Sequence, residues 1–384
     1  MALGYAGLVI ERSVEPYLLS RLGLGKVMVL LGARQVGKTT LLRSLLGDTD
    51  RTLWLNADEP RVRQLFVDLS PEALRPYLAG HETVVIDEAQ RIVDIGVKLK
   101  ILHETFGQSV QFIATGSSSF DLANKINEPL TGRKWELDLF PLSAQEMIAH
   151  QGLFVEEGFV DSRLVFGWYP EVVSRPELAA DILRELAAST LYKDIFALAG
   201  VRRPEAFDKL VRALAYQIGS PVNLTELASL VGIDKKTVAS YVRLLEQANI
   251  VFRVGTFSQN LRNELTTSTK LYFWDVGIRN AVIGDFAPVS SRADIGHLFE
   301  NFVMAEVCKL GDGLGRSEPV WFWRATTGQE IDLIRLVNQK VEAYEIKWGA
   351  QKFSFPARFT DAYPQATTTV INRSNVLQAL SAMR

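Results

Sequence analysis

The chain of 384 residues contains a single cysteine, Cys308, and only four histidines. One thiol excludes an internal disulfide framework and is typical of the reducing cytosol, so we expect a cytoplasmic protein. Thiolate and imidazole are also the groups that hold structural zinc, and so few of them leave little material for such a site.

Long apolar runs are missing as well. No segment approaches the roughly 20 apolar residues that a membrane-spanning helix needs, so no membrane contact is expected. The chain starts with MALGYAGLVIER, which is mildly apolar but has no basic region and only a short apolar run. This start indicates a leading strand or a disordered segment rather than a signal peptide.

A strong charge of either sign is also absent. The net charge is −2 at pH 7, so the chain has no overall basic surface for nucleic acid, and any DNA binding has to be local, conditional or weak. Hydrophobic residues make up 47% and charged residues 22%, which argues against a largely disordered chain. The length leaves room for roughly two to four domains.

One glycine-rich segment, VMVLLGARQVGKTT over residues 27–40, fits G-x-x-x-x-G-K-[ST] between an apolar run and a leucine-rich helix. Such a loop turns its backbone N–H groups toward phosphates, and the helix start adds partial positive charge. Lys38 can then reach the β- and γ-phosphates, and Thr39 can bind Mg²⁺. The alternative is an ordinary glycine turn. We expect ATP contacts from the whole loop: Gly32, Ala33, Arg34, Gln35, Val36, Gly37, Lys38, Thr39 and Thr40.

A second apolar strand, TVVIDEAQ from residue 83, ends in two acids. Acids at the carboxyl end of a buried parallel strand emerge at the ligand edge of the sheet. Asp87 is therefore predicted to hold Mg²⁺, and Glu88 to polarise the attacking water as a general base. The alternative is a strand that simply ends in solvent-facing acids. The sequence has no Asn-Lys-x-Asp motif for guanine recognition, which favours ATP over GTP as the nucleotide.

Three further residues are candidates for a nucleotide site. The strand at residues 110–116 ends near Thr115 and Ser117, either of which can sense the γ-phosphate; a serine-rich turn explains them equally well. Arg133, in the segment LTGR, is a candidate arginine finger that completes a neighbouring subunit's site and so implies a homo-oligomer. An ordinary surface arginine is the alternative.

The strand and helix pattern from residue 27 to 139 predicts an α/β fold with a parallel sheet covered by helices. The segments GARQVGKTT, TVVIDEAQ, FIATGSSS, LTGR with LFPLS, and GWYPEVV together resemble prokaryotic AAA-type P-loop ATPases of the origin-recognition and STAND branches. That resemblance implies ATP and Mg²⁺ as cofactors. It also implies that the turn of residues 167–170, with Tyr169 and Pro170, lies near the adenine.

The second half contains a helix-turn-helix pattern in residues 221–246, followed by two strand-like segments that suggest a wing. The second helix carries the residues that would contact DNA, namely Lys235, Lys236, Thr237, Ser240 and Arg243. So few basic residues leave an alternative open: a winged helix used for protein packing or dimerisation.

The last hundred residues show a helical acid, Glu300, then Asp332 and Glu345 with Lys347 on successive strands. This order resembles the restriction-endonuclease-like (PD-(D/E)XK) core, although Ile331 stands where a proline usually precedes the aspartate. The resemblance implies that the three acids hold Mg²⁺ and that the lysine positions water. The alternative is an alternation of acids and lysine on a solvated sheet face.

These patterns predict four domains: an ATPase core at 1–149, a helical lid at 150–207, a winged helix at 208–289 and a nuclease-like α/β domain at 290–384. We expect an ATP-hydrolysing switch or motor whose C-terminal half engages DNA. One alternative is an ATPase regulator or assembly factor that binds protein partners. The other is an ATP-gated, Mg²⁺-dependent nuclease.

Overall fold

The residues that the structure describes form two β-sheets, a five-stranded one and a six-stranded one, connected by helices. The structure, a computed structural model, describes residues 9–47, 49–67, 70–116, 126, 129–189, 195, 201–258, 268–313, 319–325, 327–350 and 352–383. Within these ranges, no helix is both long and apolar enough to cross a membrane.

The first sheet is parallel, with the strand order β2-β3-β4-β1-β5. Its strands are β1 (Val27–Leu31), β2 (Thr52–Asn56), β3 (Thr83–Asp87), β4 (Gln111–Gly116) and β5 (Lys134–Asp138). The helices around it are α1 (Glu15–Arg21), α2 (Lys38–Leu46), α3 (Pro60–Leu65), α4 (Pro71–Leu78) and α5 (Ile95–Phe106). This order places β4 between β1 and β3, so the carboxyl ends of these three strands are adjacent.

Strand β1 shows why the sheet is buried on both faces. All of its residues are buried, and side chains alternate between the faces of a strand. Met28 and Leu30 pack into a core shared with the second half of the chain, whereas Val27, Val29 and Leu31 pack into a separate core against α3, α4 and α5. A continuous apolar run is the pattern that a central parallel strand requires.

Proline marks the start of two helices. Helix α1 begins at Glu15 with Pro16 in its first turn, where the missing N–H is tolerated. Helix α4 starts at Pro71, after the Ser70 N-cap.

Strand β3 ends at Asp87, and the acid after it, Glu88, has left-handed backbone geometry.

A group of short helices follows the first sheet: α6 (Ala144–Gln151), α7 (Leu153–Glu157), α8 (Val160–Phe166), α9 (Pro170–Ser174) and α10 (Ala179–Ala187). The turn between α8 and α9 is fixed by Asp275, whose Oδ2 accepts a hydrogen bond from the Trp168 N–H at 2.7 Å. Gly167 has φ +68° there, and a Cβ on it would lie 2.1 Å from Asp275 Oδ1. Only glycine fits this close approach.

Three helices and an antiparallel strand pair come next: α11 (Pro204–Tyr216), α12 (Leu224–Val231), α13 (Lys235–Gln247), β6 (Val251–Thr256) and β7 (Lys270–Phe273). The last part contains α14 (Val276–Ile283), α15 (Ile295–Gly313), β8 (Val320–Arg324), β9 (Glu330–Val337), β10 (Lys340–Ile346), α16 (Ala357–Ala362), β11 (Thr367–Ile371) and α17 (Val376–Ala382). The turn after α12 uses Gly232 in left-handed geometry, as the helix-turn-helix pattern predicts.

The second sheet crosses the boundary predicted at residues 289 and 290. Its order is β11-β10-β9-β8-β6-β7, because β6 pairs with β8 in parallel, with Gly255 opposite Trp321 and Thr256 opposite Phe322. The strand pair after the helix-turn-helix and the C-terminal strands therefore form one mixed sheet. Helix α15 packs against β7 and β10 of this sheet.

Candidate functional site

The loop between β1 and α2 is shaped by three residues with positive φ. These are Gly32 (φ +154°), Gln35 (φ +60°) and Gly37 (φ +99°), and α2 begins directly after Gly37. Such a loop turns successive N–H groups to one side and so forms a concavity for anions at a helix start. Ala33 and Val36 have buried side chains, so they can contribute only their backbone groups to this concavity.

Gly32 has no room for a side chain. A Cβ placed on it would lie 2.2 Å from the carbonyl oxygen of Leu139. Gly32→Ala is therefore expected to destabilise the fold by about 2 kcal/mol or more, as overpacked sites do, and urea unfolding measures this loss. Gly80→Ala is the matched control, since Gly80 also has positive φ but nothing within 4 Å. An equal loss in both variants would show that backbone geometry alone makes glycine necessary.

Lys38 is folded over this loop. Its side chain is buried, and Nζ donates hydrogen bonds to the carbonyl oxygens of Gly32 at 2.9 Å and Ala33 at 3.0 Å. The ammonium group is thus held on the loop itself, where a phosphate chain would lie. This position agrees with the role predicted for Lys38.

The carboxylate of Asp87 joins the three adjacent strand ends. Thr39 Oγ1, at the start of α2, donates to Asp87 Oδ2 at 2.8 Å, and Thr115 Oγ1, on β4, donates to Asp87 Oδ1. Hydroxyl and carboxylate oxygens are the hard ligands that Mg²⁺ prefers. The side chains present here therefore fit Mg²⁺. Ser117, the other predicted sensor, lies outside the described residues.

Glu88 has the left-handed backbone geometry (φ +52°) that is uncommon for residues other than glycine. Its N–H lies 3.2 Å from Asp87 Oδ1 and 3.3 Å from Thr115 Oγ1. Gln90 Nε2 donates to Glu88 Oε2 at 2.6 Å and so fixes the direction of the carboxylate. Strained backbone of this kind concentrates at functional sites. The sequence analysis did not single out Gln90, although it stands only two residues after the predicted base.

Arg12 is a second contact that the sequence analysis missed. Its guanidinium donates to Val36 O in the loop at 2.9 Å, to Phe140 O at 2.7 Å and to Glu146 Oε1 at 3.0 Å. Burial raises the pKa of Glu146, but the Arg12 charge and the backbone N–H groups of Ser13 and Ser143 outweigh burial and hold that pKa below its usual range. Arg12 thus ties the loop to the segment after β5. No local motif marks this arginine, because its partners lie far along the chain.

The turn before α9 lies beside the phosphate loop. Pro170 Cγ is 4.0 Å from the position of a Cβ on Gly37. Tyr169 is buried in the core, and burial, with a further contribution from the Asp275 carboxylate, raises the pKa of its hydroxyl. The turn is therefore next to the loop, and the Tyr169 ring packs inside the protein; a place near the adenine stays a prediction.

Arg133 and Thr40 lie away from these groups. The Arg133 carbonyl accepts the Val27 N–H at the amino end of β1, and its guanidinium lies 3.3 Å from Glu104 Oε1. The length of β1, about 16 Å at roughly 3.3 Å per residue, separates this position from the loop. Arg133 therefore cannot reach the site of its own chain. Thr40 is exposed on α2, whereas Arg34 and Gln35 lie in the loop.

The C-terminal acids predicted for a nuclease lie close together and are buried. Ile346 N–H donates to Asp332 Oδ2 at 2.9 Å, and Lys347 Nζ lies 2.5 Å from Glu345 Oε1 and 3.8 Å from Asp332 Oδ2. Burial and the nearby Glu300 charge raise the pKa of Asp332 to about 6. Burial and Asp332 raise the pKa of Glu345 to about 7.

Glu300 is bound to side chains of β7. Its Oε1 accepts hydrogen bonds from Lys270 Nζ at 3.0 Å and from Tyr272 Oη at 2.6 Å. In the part of the chain that the structure describes, no group of three or more histidine, cysteine, aspartate or glutamate side chains has a geometry that could hold a metal ion. The binding of Mg²⁺ by Glu300, Asp332 and Glu345 stays a prediction.

Helices α12 and α13 line an open groove of about 950 Å³. Lys235 and Lys236 stand exposed at the start of α13, and Thr237 and Ser240 line the same groove. The predicted Arg243 is exposed on α13 but is not among the lining residues. Arg202 and Arg203, just before α11, also line the groove, although the helix-turn-helix pattern did not include them.

Comparison with known families divides the chain into three parts. Residues 24–148 match the AAA domain family, residues 159–288 match a domain of unknown function (DUF8612), and residues 295–382 match another (DUF4143). The chain is 27% identical over 326 residues to an uncharacterized protein of Mycobacterium tuberculosis, covering 84% of this chain and 70% of that protein. It is 24% identical over 312 residues to an uncharacterized protein of Haemophilus influenzae, covering 74% of this chain and 75% of that protein.

Two solved structures are also similar. One is a Walker-type ATPase of Pyrococcus abyssi, with a TM-score of 0.48, 16% identity, and coverage of 72% of this chain and 96% of that chain. The other is a STAND protein of Pyrococcus horikoshii with a tetratricopeptide repeat sensor (TM-score 0.29, 13% identity, 78% of this chain and 45% of that chain). Residues 24–148, which contain the parallel sheet, are thus similar to the AAA domain family, and the chain as a whole has an α/β fold.

Proposed function

We propose that the protein binds ATP with Mg²⁺ and hydrolyses the bond between the β- and γ-phosphates. The observation that carries this proposal is the meeting of Lys38, Thr39, Asp87 and Glu88 at one edge of the parallel sheet. Phosphate release from ATP, compared between the wild type and a Glu88→Gln variant, tests it.

Each of these side chains has a distinct role in the proposal. Lys38 exchanges its bonds to the loop carbonyls for bonds to phosphate oxygens, while Thr39 and Asp87 hold Mg²⁺. When bound, Mg²⁺ neutralises charge on the phosphates. Thr115 fixes the second oxygen of Asp87 and therefore acts as a positioning residue. Glu88 takes the proton of the attacking water, and Gln90 keeps its carboxylate pointed at that water.

A chain of hydrogen bonds gives the nucleotide site a path to the C-terminal half. Arg12 joins Val36 of the loop to Glu146 on α6. At the start of α6, the Ala144 N–H donates to Glu306 of α15 at 2.5 Å. Because γ-phosphate contacts commonly order switch segments, we infer that hydrolysis moves α6 and α15 relative to the loop.

An oligomer follows if Arg133 acts as an arginine finger. Arg133 lies at the amino edge of the sheet and therefore cannot contact a nucleotide bound by its own chain. As an arginine finger, it would have to contact a nucleotide bound by a neighbouring copy. We propose that the working form is a homo-oligomer on this ground.

In the same proposal, Tyr169 and Pro170 border the adenine through the turn that they form beside Gly37.

A second function, DNA contact, is favoured by the groove at α12 and α13. We propose that α11, α12, α13 and the β6–β7 pair form a winged helix. Four basic residues, Arg202, Arg203, Lys235 and Lys236, surround the start of α13, where the helix dipole also favours phosphate. This local charge is what a nearly neutral chain needs for DNA binding. Binding of a protein partner through the same surface is the alternative.

Replacing Lys235 and Lys236 by alanine separates these two functions. Each phosphate contact contributes about −0.9 to the slope of log K against log salt, so the double variant is expected to bind duplex DNA more weakly and with a slope smaller by about 2. Fluorescence anisotropy at several salt concentrations measures both quantities. Lys340→Ala, an exposed lysine on β10, is the control for loss of charge. Equal weakening in the control, or no DNA binding by the wild type, would favour the protein partner.

A further inference from the structure

Lys270 on β7 is a buried lysine whose ammonium lies among carboxylates. Its side chain is 1% exposed. Its Nζ lies 3.0 Å from Glu300 Oε1 and contacts Glu330 on β9. Two residues further along β7, Tyr272 donates its hydroxyl hydrogen to the same Glu300 oxygen. Glu300 therefore has two partners from one strand.

The continuous sheet explains how β7 reaches this position. Strands β7, β6, β8 and β9 are neighbours in that order, and the side chains of Lys270 on β7 and Glu330 on β9 meet over the two strands between them. The Lys270 ammonium lies 5.1 Å from the centre of the Phe322 ring on β8, on the way to Glu330. No sequence pattern connects Lys270 with the acids, because its partners lie on other elements.

Protein cations lie among the acids, although they are fewer than the acids. Four carboxylates, from Glu300, Glu330, Asp332 and Glu345, share this region with the ammonium groups of Lys270 and Lys347, and Arg324 Nε lies 3.8 Å from Glu330 Oε2. Burial lowers the pKa of Lys270, but the charges of Glu300 and Glu330 outweigh burial and raise it. The buried oxygen Glu345 Oε2 has no hydrogen-bond partner among the residues that the structure describes.

We propose that Lys270 is a built-in cation that closes this acid cluster to divalent metal ions. The ammonium takes the Glu300 oxygen that a third metal-bound carboxylate would have to supply. The C-terminal domain is then a metal-independent module that holds α15 to the sheet, not a nuclease. This inference does not depend on ATP hydrolysis, because the contacts that carry it lie outside the nucleotide site.

Metal binding by nucleotide-free protein tests the proposal directly. Mn²⁺ is titrated into the wild type and Asp332→Asn and followed by electron paramagnetic resonance, and both proteins are expected to bind it equally weakly. Stronger Mn²⁺ binding by the wild type that disappears in Asp332→Asn would overturn the proposal. So would Mg²⁺-dependent DNA cleavage by the wild type that Asp332→Asn lacks. These comparisons need no change at Lys270 and therefore do not depend on how that variant folds.

Lys270→Met gives the converse test. This change removes the Lys270 ammonium from Glu300 and Glu330. Among the described residues, Glu345 Oε2 in the same cluster also has no hydrogen-bond partner. We expect a lower melting temperature that Mn²⁺ restores, and Mn²⁺ affinity higher than that of the wild type by about tenfold, the size of change seen when the partner of a ligating group is altered. Lys270→Arg, which keeps the cation, should show neither change. A folded Lys270→Met protein without any gain in Mn²⁺ affinity would contradict the proposal.

Discussion

Lys38→Ala is expected to remove nearly all ATP turnover and to weaken ATP binding strongly. The Lys38 ammonium is held on the loop itself, through hydrogen bonds to Gly32 O and Ala33 O. Loss of a single preorganised donor to developing charge lowers kcat by about 10²–10³-fold. Phosphate release and the binding of a fluorescent ATP analogue measure the two effects separately.

Lys26→Ala is a matched control for this change. Lys26 directly precedes the amino end of β1. Lys38 stands at the start of α2, after the loop that follows the carboxyl end of β1, so the two lysines flank the same strand and loop. Its ammonium lies over the Trp135 ring and not on the loop. We expect Lys26→Ala to retain wild-type turnover. If both variants lose turnover equally, the loss reflects damage to β1 rather than the loss of a phosphate ligand.

Glu88→Gln is the second change with a large expected effect, and it should separate binding from chemistry. Removal of a positioned general base lowers turnover by about 10²–10⁴-fold. The amide keeps the shape of the side chain, and the Glu88 N–H can still lie against Asp87 and Thr115. ATP binding is therefore expected to remain near the wild-type level. The measurement is phosphate release at saturating ATP together with a binding titration.

Glu82→Gln is the control at the other end of β3. Glu82 directly precedes the strand, is largely exposed and pairs with Arg51 at 3.0 Å, so its loss should not alter turnover. A Glu88→Gln protein that hydrolyses ATP at the wild-type rate would remove Glu88 from the mechanism. Loss of ATP binding in that variant would instead indicate a structural role for its carboxylate beside Gln90.

The phosphate loop and its strands could be predicted from the sequence because their signals are local. An apolar run, a glycine spacing and a helix start are consecutive in residues 27–46, and the observed β1 and α2 follow them. The acid pair after β3 was found in the same way. The predicted fold class was therefore correct. The strand order, which brings Asp87, Thr39 and Thr115 together, comes from the structure.

The missed residues act through contacts between distant parts of the chain. Arg12 binds Glu146 across 134 positions, and Asp275 holds Trp168 across 107. No periodicity or short motif records such pairs. The same limit explains the acid cluster, since the alternation on β9 and β10 places acids on one face of the strands but could not show that Lys270 lies among them. A pattern gives the face of a strand and not what packs on that face.

Phosphate release from ATP and Mg²⁺ by the purified wild-type protein, with Lys38→Ala as the blank, tests the central claim most directly. The account predicts steady turnover by the wild type that is absent from the blank. Adding duplex DNA at low salt in the same assay would then show whether the groove at α13 is linked to the cycle. Turnover by the wild type no greater than that of Lys38→Ala, with ATP bound and Mg²⁺ present, would contradict the account.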